Sequence, residues 1–395
     1  QHAHDQDVQA QSRKNDHRQR AQGPQEKGRR LTTFGTATRR SMARTSPVPL
    51  LSIGVDIGGT KVAAGVVDEV GDILDHWQEP TPSHSPQAVE DAIVRAVGHL
   101  RKQHRVEAVG IGAAGWVDND QAVVRFSPHL AWRSEPLKAR LSGRIELPLI
   151  VDNDANAAAW AEYRYGAGRG SSVMVCLTLG TGIGGGLVIG GKLFRGAYGM
   201  AGEWGHMISV PNGHWCECGN RGCWEQYASG NALVRDARAL ARTNSPTAYQ
   251  LLEMVGGDPD NISGPDVTAA AIQGEPTSVE LLTDVGTWLG QGIANLAAAL
   301  DPEVVVIGGG VSAAGDLLLQ PAQRAFSRTL TGRGFREEAR LVLARFGNDA
   351  GLIGAADLAR HAMIEPPDSA QFGFWPRRRK RRPRRARSLR SRAQP

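Results

Sequence analysis

Three of the chain's four cysteines, Cys216, Cys218 and Cys223, fall within eight positions in the stretch HWCECGNRGCWE (214–225). Thiolates at this spacing can converge on one ion, and a structural Zn²⁺ takes four N or S ligands in a tetrahedron. Two histidines, His206 and His214, are close enough in sequence to be the fourth ligand. His214 lies only two residues from Cys216, in a loop already holding three ligands. Clustered cysteines in a cysteine-poor chain favour metal over disulfide. Cys176, in the apolar run VMVCLTL, reads as a small buried side chain. A Cys₃His set leaves no open coordination position, so the metal would brace a loop and would not activate water.

A second group of candidates is acidic. Asp152 and Asp154 stand in IVDNDANAA, where a strand gives way to a helix. Asp154 is a candidate general base with Asp152 as its competitor, and read alone Asp154 suits the N-cap of a helix start. Glu203 and His206 in GEWGH and Glu225 beside the cysteines could supply hydrogen-bonding groups to a polyhydroxylated substrate. Read alone, Glu225 is a solvated charge at a helix start.

Three glycine-rich stretches each follow an apolar strand: DIGGTK (56–61), LGTGIGGG (179–186) and IGGGVS (307–312). Glycine lets backbone N–H groups approach phosphate oxygens closely. Gly58, Gly59, Gly180, Gly182, Gly309 and Gly310 are the candidate cradles, with Thr60, Thr181 and Lys61 adding donors. Gly180, Gly182 and Gly185 formally match G-x-G-x-x-G. A dinucleotide site needs a helix directly after that loop, and strand-like LVIGGKLF follows instead. No Walker-A sequence occurs.

The elements that must hold these groups alternate between strand and helix. Residues 50–57 read as a strand, and 62–80 as two more with a turn at 69–72. Residues 85–104 form an amphipathic helix opened by Ser85 and Pro86. A buried strand covers 106–115, IELPLIVDND (145–154) is another, and 155–168 is an Ala-rich helix. SVMVCLTLGTGIGGGLVIGGKLF (172–194) then repeats the strand–glycine turn–strand plan of SIGVDIGGTKVAAGVV, which predicts a duplicated unit. A long helix over 277–300, a strand before the third glycine run, a helix over 315–330 and a strand–turn–helix over 341–363 complete the chain.

This plan resembles the nucleotide-binding actin/hexokinase/Hsp70 superfamily. DIGGTK, VDNDANAAAWAE, LGTGIGGG, GEWGH and CECGNRGCWE occur in the order seen in the ROK family of repressors and sugar kinases, and SPHLAWRSEPL (127–137) is similar to its glucokinase branch. The resemblance covers about residues 50–362. It implies a duplicated two-domain α/β fold of the actin/hexokinase (ribonuclease H-like) type with a central cleft. The smaller domain would hold 50–152 plus 351–362, and the larger 153–350 with the zinc loop. It also implies ATP-dependent phosphorylation of glucose at its 6-hydroxyl, with Asp154 as base. Asn153, Glu203, His206 and Glu225 would bind the sugar, with the loop at 112–118 beside them. Asp56 would organise Mg²⁺ through water, and His206 would complete a structural Zn²⁺ site with Cys216, Cys218 and Cys223. Polyphosphate-using relatives generally lack the cysteine cluster, which favours ATP as donor. The resemblance leaves room for another hexose (N-acetylmannosamine, fructose or mannose) or for a sugar-responsive repressor. Such repressors carry an N-terminal winged-helix domain of about eighty residues, and only about 46 residues precede the first strand here. A homodimer or homotetramer is implied as well.

The formal charge of +6 belongs to the ends. Residues 1–46 hold ten Lys/Arg against four acids, and 376–395 hold eleven and no acid, so the body between is acidic. The leader has no helical or strand period and reads as disordered. Met42 would make a natural start. The Arg-rich segment within 365–395 is either a polyanion patch or solvated sequence without a role in the fold, and we take the second reading. No nucleic-acid partner is expected of the body. No apolar run is long enough for a membrane span, and the N-terminal QHAHDQDVQAQSRKND has no apolar h-region of a signal sequence, which together with cysteine usage suits a cytoplasmic protein.

Overall fold

A computed structural model describes residues 50–243 and 245–364. The expected disordered leader (1–46) and basic tail (365–395) lie outside the described residues. Among the described residues, no helix is long and apolar enough to cross a membrane.

The first half of the fold runs β1 (Ser52–Ile57), β2 (Lys61–Val67), β3 (Ile73–Pro80), α1 (Pro86–Leu100) and β4 (Ala108–Ala113). Three short strands follow, β5 (Trp116–Val117), β6 (Val124–Phe126) and β7 (Arg133–Glu135), then α2 (Leu137–Ile145), β8 (Leu149–Asn153) and α3 (Asp154–Arg164). The second half runs β9 (Val173–Leu179), β10 (Ile183–Ile189), β11 (Lys192–Leu193), α4 (Glu225–Ala228), α5 (Gly230–Arg242), α6 (Tyr249–Met254) and α7 (Gly264–Ile272). It ends with α8 (Pro276–Leu300), β12 (Val304–Gly308), α9 (Asp316–Thr329), β13 (Arg340–Leu343) and α10 (Ala350–Ile364).

The duplication predicted from the repeated strand–glycine–strand pattern is present in the topology. One sheet is ordered β3-β2-β1-β4-β8 and the other β11-β10-β9-β12-β13. In each, a hairpin pair is antiparallel and the two later strands join in parallel. Strands β1, β4 and β12 are almost wholly buried, which is why they read as continuous apolar runs. Strand β3 alternates intermediate and exposed positions and is an edge.

Helix α10 lies across β1 and β4 at backbone distance. A Cβ added at Gly54 would stand 1.9 Å from the Leu352 carbonyl oxygen, and one at Gly110 would stand 1.8 Å from that of Ala355. On its far side α10 meets α3. There Asp357 accepts from Trp160 Nε1 (2.8 Å), Tyr165 OH (2.6 Å) and Arg360 Nη2 (2.7 Å). These charge-assisted bonds hold Asp357 below the usual carboxylate range despite its burial, and they tie α3 to α10, the helix pair packed between the two sheets.

Three stretches depart from the sequence reading. Ile145, expected to open a strand, closes α2 and packs in the core beside Leu137 and Leu141. The small sheet β5-β6-β7 and the helices over 225–272 were not anticipated.

Candidate active site

Three consecutive residues at the β8–α3 junction take three different roles. Asp152 is buried and fully occupied. It accepts from Arg195 Nε (2.8 Å) and Nη2 (2.6 Å), Gln121 Nε2 (3.0 Å) and Asn156 Nδ2 (3.1 Å). Those partners remove it as a rival base. Asn153, and not Asp154, is the N-cap: its side-chain oxygen accepts from Asn156 N–H at 3.0 Å. Its amide donates to the Gly115 carbonyl and to Asp154 Oδ1, each at 3.0 Å. Asp154 thus begins the helix proper, with Oδ1 also accepting from Ala155 N–H at 2.9 Å.

Burial pushes the Asp154 carboxyl up to about 7, reinforced by the charges of Asp56 and Glu203 and offset in part by the Ala155 N–H. Asp56, at the end of β1, is pushed up to about 6, also mainly by burial, with Lys61 opposing and Asp349 adding. Burial raises Glu203 too, while His206 and a hydrogen bond from Trp116 oppose the rise. A group that titrates near neutrality can both hold and release a proton at working pH, which is what a general base needs.

Asp154 opens onto a cleft of ≈ 430 Å³ between the two sheets. Gly58 and Gly59 of the β1–β2 turn line one wall, and Gly180, Thr181 and Gly182 of the β9–β10 turn line the facing one. Asp56, Asn153, Glu203, His206, Glu225 and Gly309 also reach it. Thr60 and Lys61 are not among the lining residues; the Lys61 carbonyl closes the turn by accepting from Gly58 N–H at 3.0 Å. Gly310 borders an adjoining apolar slot of ≈ 520 Å³, with Leu233, Val234, Ile272 and Val311. Gly180 and Thr181 belong to both spaces, so a ligand could place an apolar ring in the slot and an anionic tail over the glycine turns. The helical residues of that slot were missed. Leu233 and Val234 lie in the helical pattern GNALVRDARALAR, which marks a helix but says nothing of what it faces.

At the other end of the cleft, one ligand-type atom from each of His206, Cys216, Cys218 and Cys223 lies within 4.8 Å of the rest. The Cys218 and Cys223 sulfurs are 3.6 Å apart, and Cys216 Sγ is 3.6 Å from His206 Nδ1. Sulfurs at tetrahedral corners around zinc would be about 3.8 Å apart, so this N/S set fits the metal. His214 faces away, its ring against Tyr227 at 5.4 Å.

The same cluster reaches the cleft through Glu225. Its side chain is only 14% exposed, so it is not the solvated charge that its position suggests. Oε2 accepts from Ile183 N–H at 3.3 Å, and Oε1 lies 3.0 Å from Cys216 Sγ and 3.4 Å from His206 Nδ1. A Cβ on Gly182 would stand 2.3 Å from Oε2, so the glycine turn leaves room for this carboxylate.

The sequence matches the ROK family over residues 52–362. A glucokinase of Streptomyces coelicolor is 51% identical over 310 residues, spanning 78% of this chain and 98% of its own. An N-acetylmannosamine kinase of Shigella boydii is 35% identical over 315 residues, spanning 79% of this chain and 99% of its own. Among solved structures, a ROK family glucokinase from Streptomyces griseus in complex with glucose and AMPPNP superposes with a TM-score of 0.74 at 51% identity, covering 79% of this chain and 99% of that one. With twin sheets of like topology around a glycine-walled cleft, and a match from first strand to last helix, the chain belongs to the ROK family and has its actin/hexokinase-like fold.

Proposed function

We propose that this protein transfers the γ-phosphoryl group of ATP to the 6-hydroxyl of glucose. The observation that carries the reading is Asp154, a carboxyl pushed up to about 7 at the floor of a cleft walled by two glycine turns. The Streptomyces relatives, at 51% identity over nearly their full length, support glucose as the sugar.

In the proposed reaction, Asp154 takes the proton of the 6-hydroxyl as that oxygen forms its bond to the γ-phosphorus. The bond from phosphorus to the bridging oxygen breaks, and ADP leaves. Asn153 holds Asp154 Oδ1, so the second carboxylate oxygen is the one offered to the hydroxyl. Glu203, His206 and Glu225 accept from or donate to the other sugar hydroxyls. The backbone donors of Gly58, Gly59, Gly180 and Gly182 meet the phosphates, while the apolar slot takes the adenine. Mg²⁺ on the nucleotide, near Asp56, would neutralise phosphate charge. Zn²⁺ held by His206, Cys216, Cys218 and Cys223 would fix the loop that presents Glu225. The two halves, 50–152 with 351–362 and 153–350, would close on the sugar and exclude water.

A coupled assay with ATP, Mg²⁺ and glucose, repeated with N-acetylmannosamine, fructose and mannose, tests this directly. The expected result is a kcat/KM for glucose at least tenfold above the others. A higher value for another hexose would overturn the choice of sugar, and no turnover with any would overturn the kinase reading.

A further inference from the structure

Among the described residues, the cleft is short of positive charge. Four of the described lining side chains are the carboxylates Asp56, Asp154, Glu203 and Glu225, and none is lysine or arginine. Transferred phosphoryl oxygens bear charge that a kinase must meet with cations or hydrogen-bond donors. Lys61 is outside the lining, and His206 lies among Cys216, Glu203 and Glu225. Among the described lining residues, the remaining basic side chain is His129.

His129 sits over the first glycine turn: a Cβ on Gly59 would be 2.9 Å from the His129 Cβ. It also borders a second cavity that shares Thr181 and Gly182 with the cleft, so it faces both phosphate turns. The residue is exposed, and no described residue engages its ring by a hydrogen bond or ion pair.

Its loop, by contrast, is pinned on both sides. Ser127 Oγ donates to the Ala114 carbonyl at 2.6 Å, and Ala131 N–H donates to that of Ser83 at 3.1 Å. Arg133 Nη1 donates to the carbonyls of Ser127 (2.8 Å), Leu130 (3.1 Å) and Trp132 (2.6 Å). Leu130 and Trp132 are buried. An arginine and a buried tryptophan therefore fix a turn whose apex is left open to the cleft.

We propose that His129 is a phosphate-contacting residue of the reaction. Its imidazole N–H donates to an oxygen of the transferred group, on ATP before transfer and on the sugar 6-phosphate afterwards. This rests on the reaction proposed above.

The test compares wild type with His129→Ala and His129→Gln. Turnover is followed with saturating ATP, and affinities for glucose and for glucose 6-phosphate are measured separately by tryptophan fluorescence. For His129→Ala the expected result is glucose affinity within twofold of wild type, with about tenfold losses in glucose 6-phosphate affinity and in kcat, the scale of one lost donor to a charged group. His129→Gln, which keeps an N–H donor, should recover part of both. Wild-type affinity for glucose 6-phosphate together with wild-type kcat in the alanine variant would overturn the role of His129. So would equal losses for glucose and its phosphate in both variants. Wild-type turnover of glucose is the control: its absence would overturn the reaction itself and this role with it.

Discussion

Asp154→Asn should move activity and stability in opposite directions. Asp154 is displaced from the ordinary 3.8 to about 7 by burial and by its acidic neighbours. That displacement corresponds to on the order of 4 kcal/mol against the ionised form. Below 3.8 the group is protonated in both folded and unfolded chains, and it costs nothing. As pH rises the unfolded chain ionises first, so folded stability falls until the folded group ionises at about 7, where the cost is complete. Roughly half of it has accrued by about pH 5.5. Asparagine can keep the bonds from Asn153 and Ala155 through its carbonyl oxygen, and it carries no charge to desolvate. The variant should therefore be more stable than wild type, by on the order of 2 kcal/mol at pH 5.5 and 4 kcal/mol at pH 8. Its kcat should fall by about 10²-fold or more through loss of the base. Urea denaturation at the two pH values, without nucleotide or Mg²⁺, and a coupled kinase assay read both effects. A variant destabilised equally at both pH values would refute the buried-charge account, and one with wild-type kcat would refute the base.

The wild-type pH profile offers a related check: kcat/KM for glucose should rise with pH through about 7 as Asp154 ionises, and a profile flat from pH 5.5 to 8.5 would contradict it. Gly182→Ala places a methyl group 2.3 Å from Glu225 Oε2 and should raise KM for glucose by about tenfold through loss of one charged hydrogen bond, with the fold retained. An unchanged KM would show that Glu225 does not hold the sugar. Gly110→Ala drives a methyl group into the Ala355 carbonyl, where neither backbone can yield cheaply, and should cost about 3 kcal/mol or more in denaturant unfolding. Elemental analysis should find about one zinc per chain, and Cys218→Ser or chelation should lower that content and raise KM for glucose. Fully active protein free of zinc would end the structural-metal reading.

The duplication was legible because each copy carries the same local pattern, an apolar strand running into glycines and then a second strand. That pattern fixes a hairpin whatever lies around it. The cysteine cluster was legible for a similar reason, since its ligands are near neighbours in sequence. The small sheet was not, because β5, β6 and β7 are two or three residues long and leave no period to read. Ile145 reads as strand because a short apolar run fits either state, and α2 wins by packing Leu137, Leu141 and Ile145 on one side. Asp152 and Asp154 could not be separated by their own sequence context. What separates them is Arg195, 43 residues further on, which takes Asp152 into an ion pair and leaves Asp154 to the cleft. His129 and Gly59 are likewise brought together only by the fold.

Cys223, Trp224 and Glu225 show how the cysteines of the candidate metal site would bear on sugar binding without touching sugar. The loop around them has little core of its own: Ile208 is 60% exposed and Trp215 72%. Trp224 is fully buried, its Nε1 donates to the Trp288 carbonyl of α8 at 2.9 Å, and Gly292 leaves space for the indole. One side of this tripeptide is thus fixed to the core by Trp224. On the other side Cys223 is buried and its backbone pairs with Ile208, and its sulfur would be held further by the four-ligand set, which is what binding energy from a structural zinc supplies. Glu225 follows directly and starts α4, so its carboxylate inherits the precision of both anchors. With the metal gone, Cys216 Sγ at 3.0 Å and His206 Nδ1 at 3.4 Å would be free to move against it. The expected consequence is a rise in KM for glucose while the phosphate turns and Asp154, which sit on the sheets, keep their places.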